Sequence, residues 1–324
     1  MDYRRFAVGI SEGRARWLAD WVDGVDAAGV IQVSNLHAVL GRWVYACGAL
    51  DVYRPFLGPV FAWAASVPEE ATLPTPKAIT FILRYLRDRL RAGERMTWCP
   101  AEDGTPVEAF RADATASDEM VAIGGWECRD CTPPEKARWF AVQLTRETHP
   151  WIWRDGEPFR KIAGLELLAT LFCVAAFGTA HDAPGAVVER PVLTLSGTTD
   201  NKGNSHVVAR LLTTTFPLSA VLMQLAHTLA SQGRVLHLHW APRDQNTEAD
   251  ALANMVVHKF DQSKRVHPAP DLTVMNTMLE LGTRLYDDVR EARVTRQRKR
   301  FSNMVSKKRK KARAEGLKTR APWE

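Results

Sequence analysis

Four carboxylates sit where a carboxylate is hard to explain alone. Asp113 lies in "RADATAS", at the expected end of a β-strand, and Glu166 is the one charge inside "IAGLELLATLFCVAAFG". Ile162, four residues before Glu166, and Ala169, three after it, share its helical face, so its side chain should point into the core. Asp200 closes the β-prone run "VLTLSGTTD" and leads into small polar residues, and Asp250 sits in "EADALAN" after a Pro-Arg turn. Singly, Asp113 and Asp200 read equally well as turn residues, and Asp250 as a first-turn acid facing a helix dipole. Glu166 resists that reading, because a lone buried carboxylate is costly. If the four converge, a cation must neutralise them, since like charges raise one another's pKa. An all-oxygen set suits a hard divalent ion, Mg²⁺ or Mn²⁺. Two such ions about 4 Å apart activate a water and stabilise the leaving oxygen of a phosphodiester.

The elements that must position these residues follow from the apolar pattern. Residues 1–95 read as helical. Ser11 caps "EGRARWLADWVDGV", and "SNLHAVLGRWVYACGAL" carries apolar residues at helical spacing. In "TPKAITFILRYLRDRLRAG", Thr75 is the expected cap, Pro76 the first helical residue and Gly93 the stop. "DVYRPFLGPVFAW", rich in proline and aromatics, reads as a packed loop. Past Met96 the pattern changes. "PVEAFRADATA", "DEMVAIGGWECR" and "ARWFAVQLTRE" alternate as strands, followed by a buried helix around Glu166 and a fourth strand at Leu193. A helix broken at Pro217, a fifth strand "RVLHLHWA", and a last helix that Asn246 could cap complete the run. The order β-β-β-α-β-α-β-α predicts an α/β fold: a mixed five-stranded sheet with helices packed on it, preceded by the helical segment. The expected division is 1–95 helical, 96–262 sheet-bearing, and 263–324 a C-terminal helix and basic tail.

Length and composition bound the rest. A chain of 324 residues with 46% apolar content can build two domains, or one with large attachments. No apolar run reaches the roughly 18 residues a membrane span needs, and no secretory leader is recognisable, so no membrane partner is expected. Five cysteines argue for a reducing compartment, nuclear or cytoplasmic. The net charge of +6 is uneven: 13 Lys or Arg and 2 acids lie from Arg293 onward, against 30 and 35 before it. The run Lys307, Lys308, Arg309, Lys310 and Lys311 suits a polyanion grip or a nuclear import signal; a solvated tail without a partner is the plain alternative.

From about Val107 to about Phe260 the chain resembles the ribonuclease H domain of retroelement reverse transcriptases. The residues that carry this are "DATAS" and "IGGW", "LELLA", "TTDNKGNS" and "WAPRDQNTEADALAN", the last with the pattern N-x-x-A-D-x-L-A. The resemblance implies that the first and fourth strands lie side by side at the sheet centre. It also implies that Asp113, Glu166, Asp200 and Asp250 form a catalytic set holding two ions, with an RNA–DNA hybrid as substrate. Lys202, Asn204, Arg243 and Asn246 are then candidate nucleic-acid contacts beside the tail. Residues 34–63 resemble the thumb or connection segment of such proteins, closest in flavour to DIRS-like elements with tyrosine-recombinase relatives. Two departures stand out: Arg243 in "APRDQN" occupies a place where many relatives carry a histidine, and the span from Asp113 to Glu166 is long.

No polymerase motif is found, so a polymerase, if one takes part, acts in trans. Tyr286-Asp287-Asp288 lacks the intervening residue of the polymerase motif and reads as an exposed helix face. Cys128 and Cys131 in "CRDC" have metal-ligand spacing but no second pair, with Cys99 and His149 the conceivable partners; a reduced turn is favoured. His237 and His239 share a strand face and read as solvent-facing or packed, and Trp126, Trp151 and Trp153 as core or loop anchors. The leading expectation is a two-metal endonuclease that cuts the RNA strand of a hybrid. The alternatives are an inactive nucleic-acid-binding relic and a DNA-cutting transposase or recombinase of the same fold.

Overall fold

The computed structural model describes residues 7–98, 107–154, 156–178 and 193–318. Cys99, Val192 and the last residues of the tail lie outside these, as does the side chain of Arg309.

The first part is helical, as expected. In order come β1 (Ala7–Gly9), α1 (Glu12–Ala28), β2 (Val30–Gln32), α2 (Val33–Ala46), α3 (Arg54–Ala64), β3 (Thr72–Pro74), α4 (Lys77–Arg91) and β4 (Met96–Trp98). The short strands pair β1 with β4 and β2 with β3, both antiparallel. Ser11 caps α1 through the Arg14 amide. Three aspartates of α1 meet three arginines of α4: Asp26 pairs with Arg84, Asp23 with Arg87, and Asp20 and Asp23 with Arg91. Two expectations fail here. Pro76, not Thr75, is the residue that precedes α4, and the Thr75 hydroxyl is buried without a partner. The segment "RPFLGPVFAWA" is α3 rather than a loop. Pro55 falls in its first turn, where the missing N–H costs nothing, and burial of most of the helix outweighs the internal Pro59.

The second part is the sheet. Its strands are β5 (Glu108–Ala116), β6 (Val121–Glu127), β7 (Trp139–Gln143), β8 (Leu193–Thr199) and β9 (Arg234–Trp240). Helices α5 (Ile162–Phe177), α6 (Lys202–Arg210), α7 (Leu218–Gln232) and α8 (Thr247–Ala253) accompany them, and α9 (Thr273–Lys318) follows. The strand order is β7-β6-β5-β8-β9. β6 runs antiparallel to β5 and β7, whereas β8 is parallel to β5 and β9. The first and fourth strands of the sheet are therefore neighbours at its centre.

Two adjacent glycines of β6 show how both faces are covered. A Cβ on Gly125 would lie 2.3 Å from Cys173 Sγ on α5, and one on Gly124 would lie 2.5 Å from the Ala253 nitrogen on α8. Successive strand residues point to opposite faces, so α5 and α8 sandwich the sheet.

One apolar core runs through both parts, from Leu36, Phe56 and Ile82 to Phe110, Leu168 and Met275. A polar cluster joins them as well. Tyr85 stacks on Phe56 with ring centroids 4.1 Å apart, and its hydroxyl lies 2.8 Å from Nδ1 of His227 on α7. Arg89 Nη2 lies 3.2 Å from the same nitrogen, and a guanidinium can only donate. Nδ1 is therefore the acceptor and His227 is neutral. Burial first, then the Arg89 charge, lowers its pKa. A depressed histidine adds stability that is present above the unfolded pKa of about 6.5 and lost as pH falls below it. The stability difference between wild type and His227→Leu should thus shrink from pH 7.5 to pH 5, as followed by thermal melts.

Among the described residues no helix is long and apolar enough to cross a membrane. Tyr286 is not on an exposed face as expected: it is buried, stacks on Phe216 with ring centroids 4.7 Å apart, and its hydroxyl lies 3.1 Å from Ser219 Oγ. Asp287 and Asp288 beside it are exposed. Helix α9 docks by its N-terminal half, with Met275, Met278, Leu285 and Val289 buried, and Lys307, Lys308, Lys310 and Lys311 are exposed toward its other end.

Candidate active site

Asp113 is placed by β5. It was expected at the strand's end, but β5 continues three residues further, because Ala114–Ala116 stay paired with β6. On the other side the ladder to β8 stops at Arg111 opposite Thr198. Asp113 therefore sits in the strand where its parallel neighbour has just departed, with its side chain buried and its Oδ1 accepting from the Ala114 amide at 2.8 Å. Asp200 follows directly after β8 and is half-buried. Glu166 projects from the first half of α5 and is buried, as its face predicts.

These three side chains meet. One carboxylate oxygen from each of Asp113, Glu166 and Asp200 lies within 4.8 Å of the others. Burial, with the Asp200 charge behind it, pushes Asp113 up to about 7. Glu166 is raised well above its ordinary value by burial and then by Asp113, and Asp200 is raised by burial while Arg243 pulls the other way. The Glu166 Oε2 atom is buried and accepts no hydrogen bond. A buried acceptor left without a donor is the feature a bound cation relieves, and a donor set of three carboxylates fits a hard divalent ion.

Asp250 is not within that trio. It lies half-buried on α8, where its Oδ1 accepts from Arg243, with Nε at 3.1 Å and Nη2 closer still. Its charge nonetheless contributes to the raised pKa of Asp113 and Asp200, so it borders the cluster. Arg243, with a side chain 74% exposed, thus occupies the fourth carboxylate and lowers the proton affinity of Glu166 and Asp200. A cation there competes with any ion entering beside Asp250. Arg243→Ala should therefore bind Mg²⁺ more tightly, by about fivefold after screening of an exposed charge. Calorimetric titration of the two proteins checks this.

Asn246 was expected to cap the last helix. Its side chain does not cap; Nδ2 instead donates to the Ala112 carbonyl of β5 at 3.1 Å, which ties the loop before α8 to the strand bearing Asp113. Arg111 also donates to the Gln245 carbonyl of that loop. Asn204 is buried, with Nδ2 donating to the Ala163 carbonyl of α5 at 2.9 Å, so it positions α6 against the helix of Glu166 rather than facing solvent. Lys202 is exposed with Nζ 5.5 Å above the Trp240 ring.

Trp240 was missed in the sequence. It is 47% exposed, and its Nε1 donates to the Asp200 carbonyl at 2.9 Å. Its position, as the last residue of β9 just before the Pro-Arg turn, was the signal that could have found it. Cys128 is buried and Cys131 exposed on a short turn, both as free thiols, and among the described residues no third donor joins them in a metal-binding group. His237 and His239 are exposed on β9. Trp126 and Trp151 are buried, as expected of anchors.

The sheet order, the parallel pairing of its first and fourth strands and the helices on both faces make this an α/β protein with a mixed five-stranded sheet. No family model and no curated protein sequence matches the chain. It is similar to the solved structure of RNase H1 from the halophilic archaeon Halobacterium salinarum NRC-1, at 17% identity and a TM-score of 0.30, over 45% of this chain and 94% of that one. It is also similar to the N-terminal RNase H domain of a Mycobacterium tuberculosis protein, solved as a fusion with maltose-binding protein. The figures there are 19% identity and a TM-score of 0.27, over 47% of this chain and 94% of that one.

Proposed function

We propose that this chain is a metal-dependent endonuclease that hydrolyses the RNA strand of RNA–DNA hybrids. The observation that carries the reading is the meeting of Asp113, Glu166 and Asp200 within 4.8 Å, with the Glu166 Oε2 atom buried and unpartnered. Asp113, on β5, and Asp200, directly after the neighbouring β8, would hold a divalent ion together with Glu166 from α5, and Glu166 would also orient a water. Asp250 would add a donor for a second ion if Arg243 released it. A divalent ion held by these groups supplies a water of lowered pKa and a counter-charge for the leaving oxygen. Lys202, Arg243 and the exposed Trp240 rim the cluster and are the groups placed to meet a nucleic-acid backbone. The hybrid is read by shape and 2′-hydroxyl rather than by base sequence.

Descent from a retroelement reverse transcriptase, with residues 34–63 as thumb or connection and a polymerase in trans, rests on the sequence resemblance alone and belongs to the same proposal. The test is cleavage of a labelled hybrid in Mg²⁺ or Mn²⁺, with Asp113→Asn as control. Cleavage of the hybrid by wild type alone supports the reading. Cleavage of duplex DNA instead favours a transposase-type nuclease, and salt-sensitive binding with no cleavage favours an inactive relic.

A further inference from the structure

Helices α1 and α2 enclose a cleft of about 520 Å³ that plays no part in the site described above. Two aromatic residues line it, and both are unusually open: Trp17 is 42% exposed and Tyr45 64%. Each carries a guanidinium from the opposite helix. Arg42 of α2 lies with Cζ 4.0 Å from the Trp17 ring centroid, and Arg14 of α1 with Cζ 5.0 Å from that of Tyr45. Arg14 Nη1 also donates to the Tyr45 hydroxyl at 3.1 Å. Among the described residues, neither arginine has a carboxylate partner, although nearby Arg16 is paired with Glu12 and the acids further along α1 are taken by α4.

We propose that this cleft is a binding site for single-stranded nucleic acid. The charges left over in it are positive, so its occupant is an anion. Its flat groups are two exposed rings and two guanidinium planes, on which bases stack irrespective of sequence. The volume falls in the range of small-ligand sites and suits one or two nucleotides rather than a folded surface. Arg14, at its Nη2, and Arg42 are left to meet the phosphates between stacked bases, while Arg14 Nη1 is held by Tyr45. The site would hold the unpaired strand that continues beyond a duplex, and it owes nothing to the carboxylates for its chemistry.

Fluorescence anisotropy on the full-length chain, without added metal, tests this with a labelled oligothymidine and with an abasic strand of equal length. Wild type should prefer the base-bearing strand by about tenfold per stacked base. Trp17→Leu with Tyr45→Leu should abolish that preference, and Arg14→Ala with Arg42→Ala should weaken oligothymidine binding about tenfold or more while flattening its salt dependence. Gly41→Glu places a negative charge in the cleft where nothing lies within 4 Å of its Cβ. It also favours the helix, so it should weaken binding without unfolding the protein. The basic end of α9 supplies a charge-only background that does not distinguish the two strands. Equal affinity for the two strands in wild type, or polyglutamate competing as well as oligonucleotide of the same charge, would overturn the proposal. So would Gly41→Glu binding as wild type. Loss of hybrid cleavage in Asp113→Asn with this binding intact would bear on the nuclease alone.

Discussion

Asp113→Asn is expected to give a protein that no longer cleaves a hybrid and yet melts at a higher temperature than wild type in metal-free buffer at pH 8. The loss of activity follows from removing an oxygen donor at the centre of the acidic trio. Counter-charge of this kind contributes several kcal/mol, so the rate should fall on the order of a thousandfold. The gain in stability follows from the same geometry. The Asp113 carboxyl is buried beside Asp200 and its pKa is raised from 3.8 to about 7. A carboxyl with a raised folded pKa contributes stability that is complete below its unfolded value and lost as pH rises through the folded one. Wild type therefore loses the Asp113 contribution from about pH 4 to about pH 7, whereas an asparagine, which does not titrate, has none to lose. The full shift corresponds to about 4 kcal/mol. Sharing of the cost with Glu166 and Asp200 roughly halves it, so an increase of about 5 °C in Tm is expected above pH 7 and little below pH 4. Adding Mg²⁺ at pH 8 should raise the wild-type Tm and leave the variant unmoved. Scanning calorimetry at three pH values, with and without Mg²⁺, reads all of this without an activity assay. A variant less stable than wild type at pH 8 would contradict the account. His227 titrates in the opposite sense, which is why each comparison is made between variant and wild type at one pH.

Gly124→Val should also impair cleavage, although less than Asp113→Asn and although residue 124 is not part of the acidic cluster. Gly124 pairs with Asp113 across the β5–β6 ladder, and α8 lies directly on it. A Cβ there would come within 2.5 Å of the Ala253 nitrogen and 2.6 Å of Leu252. These are helix atoms with little freedom to yield, so α8 must lift. It carries Asp250 with it and strains the Asn246 hydrogen bond to the Ala112 carbonyl. Overpacking of this kind costs about 1–3 kcal/mol of stability, and displacing a functional group by about 1 Å costs about a hundredfold in rate. The expected result is a folded protein with a lowered Tm and cleavage down about a hundredfold. Mg²⁺ binding by Asp113, Glu166 and Asp200 should be largely kept, because those residues stand on β5, β8 and α5. Cleavage at the wild-type rate would mean that α8 does not position the site.

Much of the sheet was legible in the sequence because its signals are local. Alternating apolar residues marked the strands, and the lone Glu166 in an apolar helix declared a buried carboxylate. The order of elements then limited which strands could be neighbours. Errors arose where burial overrode local preference. Helix α3 forms through two prolines because almost all of it is buried. Tyr286 faces inward from α9, in contact with Phe216 and Ser219, although its neighbours in the chain are charged.

The sequence by itself determined which residue types this chain offers for phosphodiester chemistry: four acids, in order, on elements of defined kind. Only the tertiary structure decided how they divide. Asp113, Glu166 and Asp200 converge because a parallel strand pair and a packed helix bring distant positions to one point. Asp250 is held by Arg243, seven residues away on the preceding turn. The pairing of Arg14 with Tyr45 and of Arg42 with Trp17 was likewise out of reach of any one-dimensional pattern. It depends on the packing of two helices, and periodicity within one segment says nothing about the side chains of another.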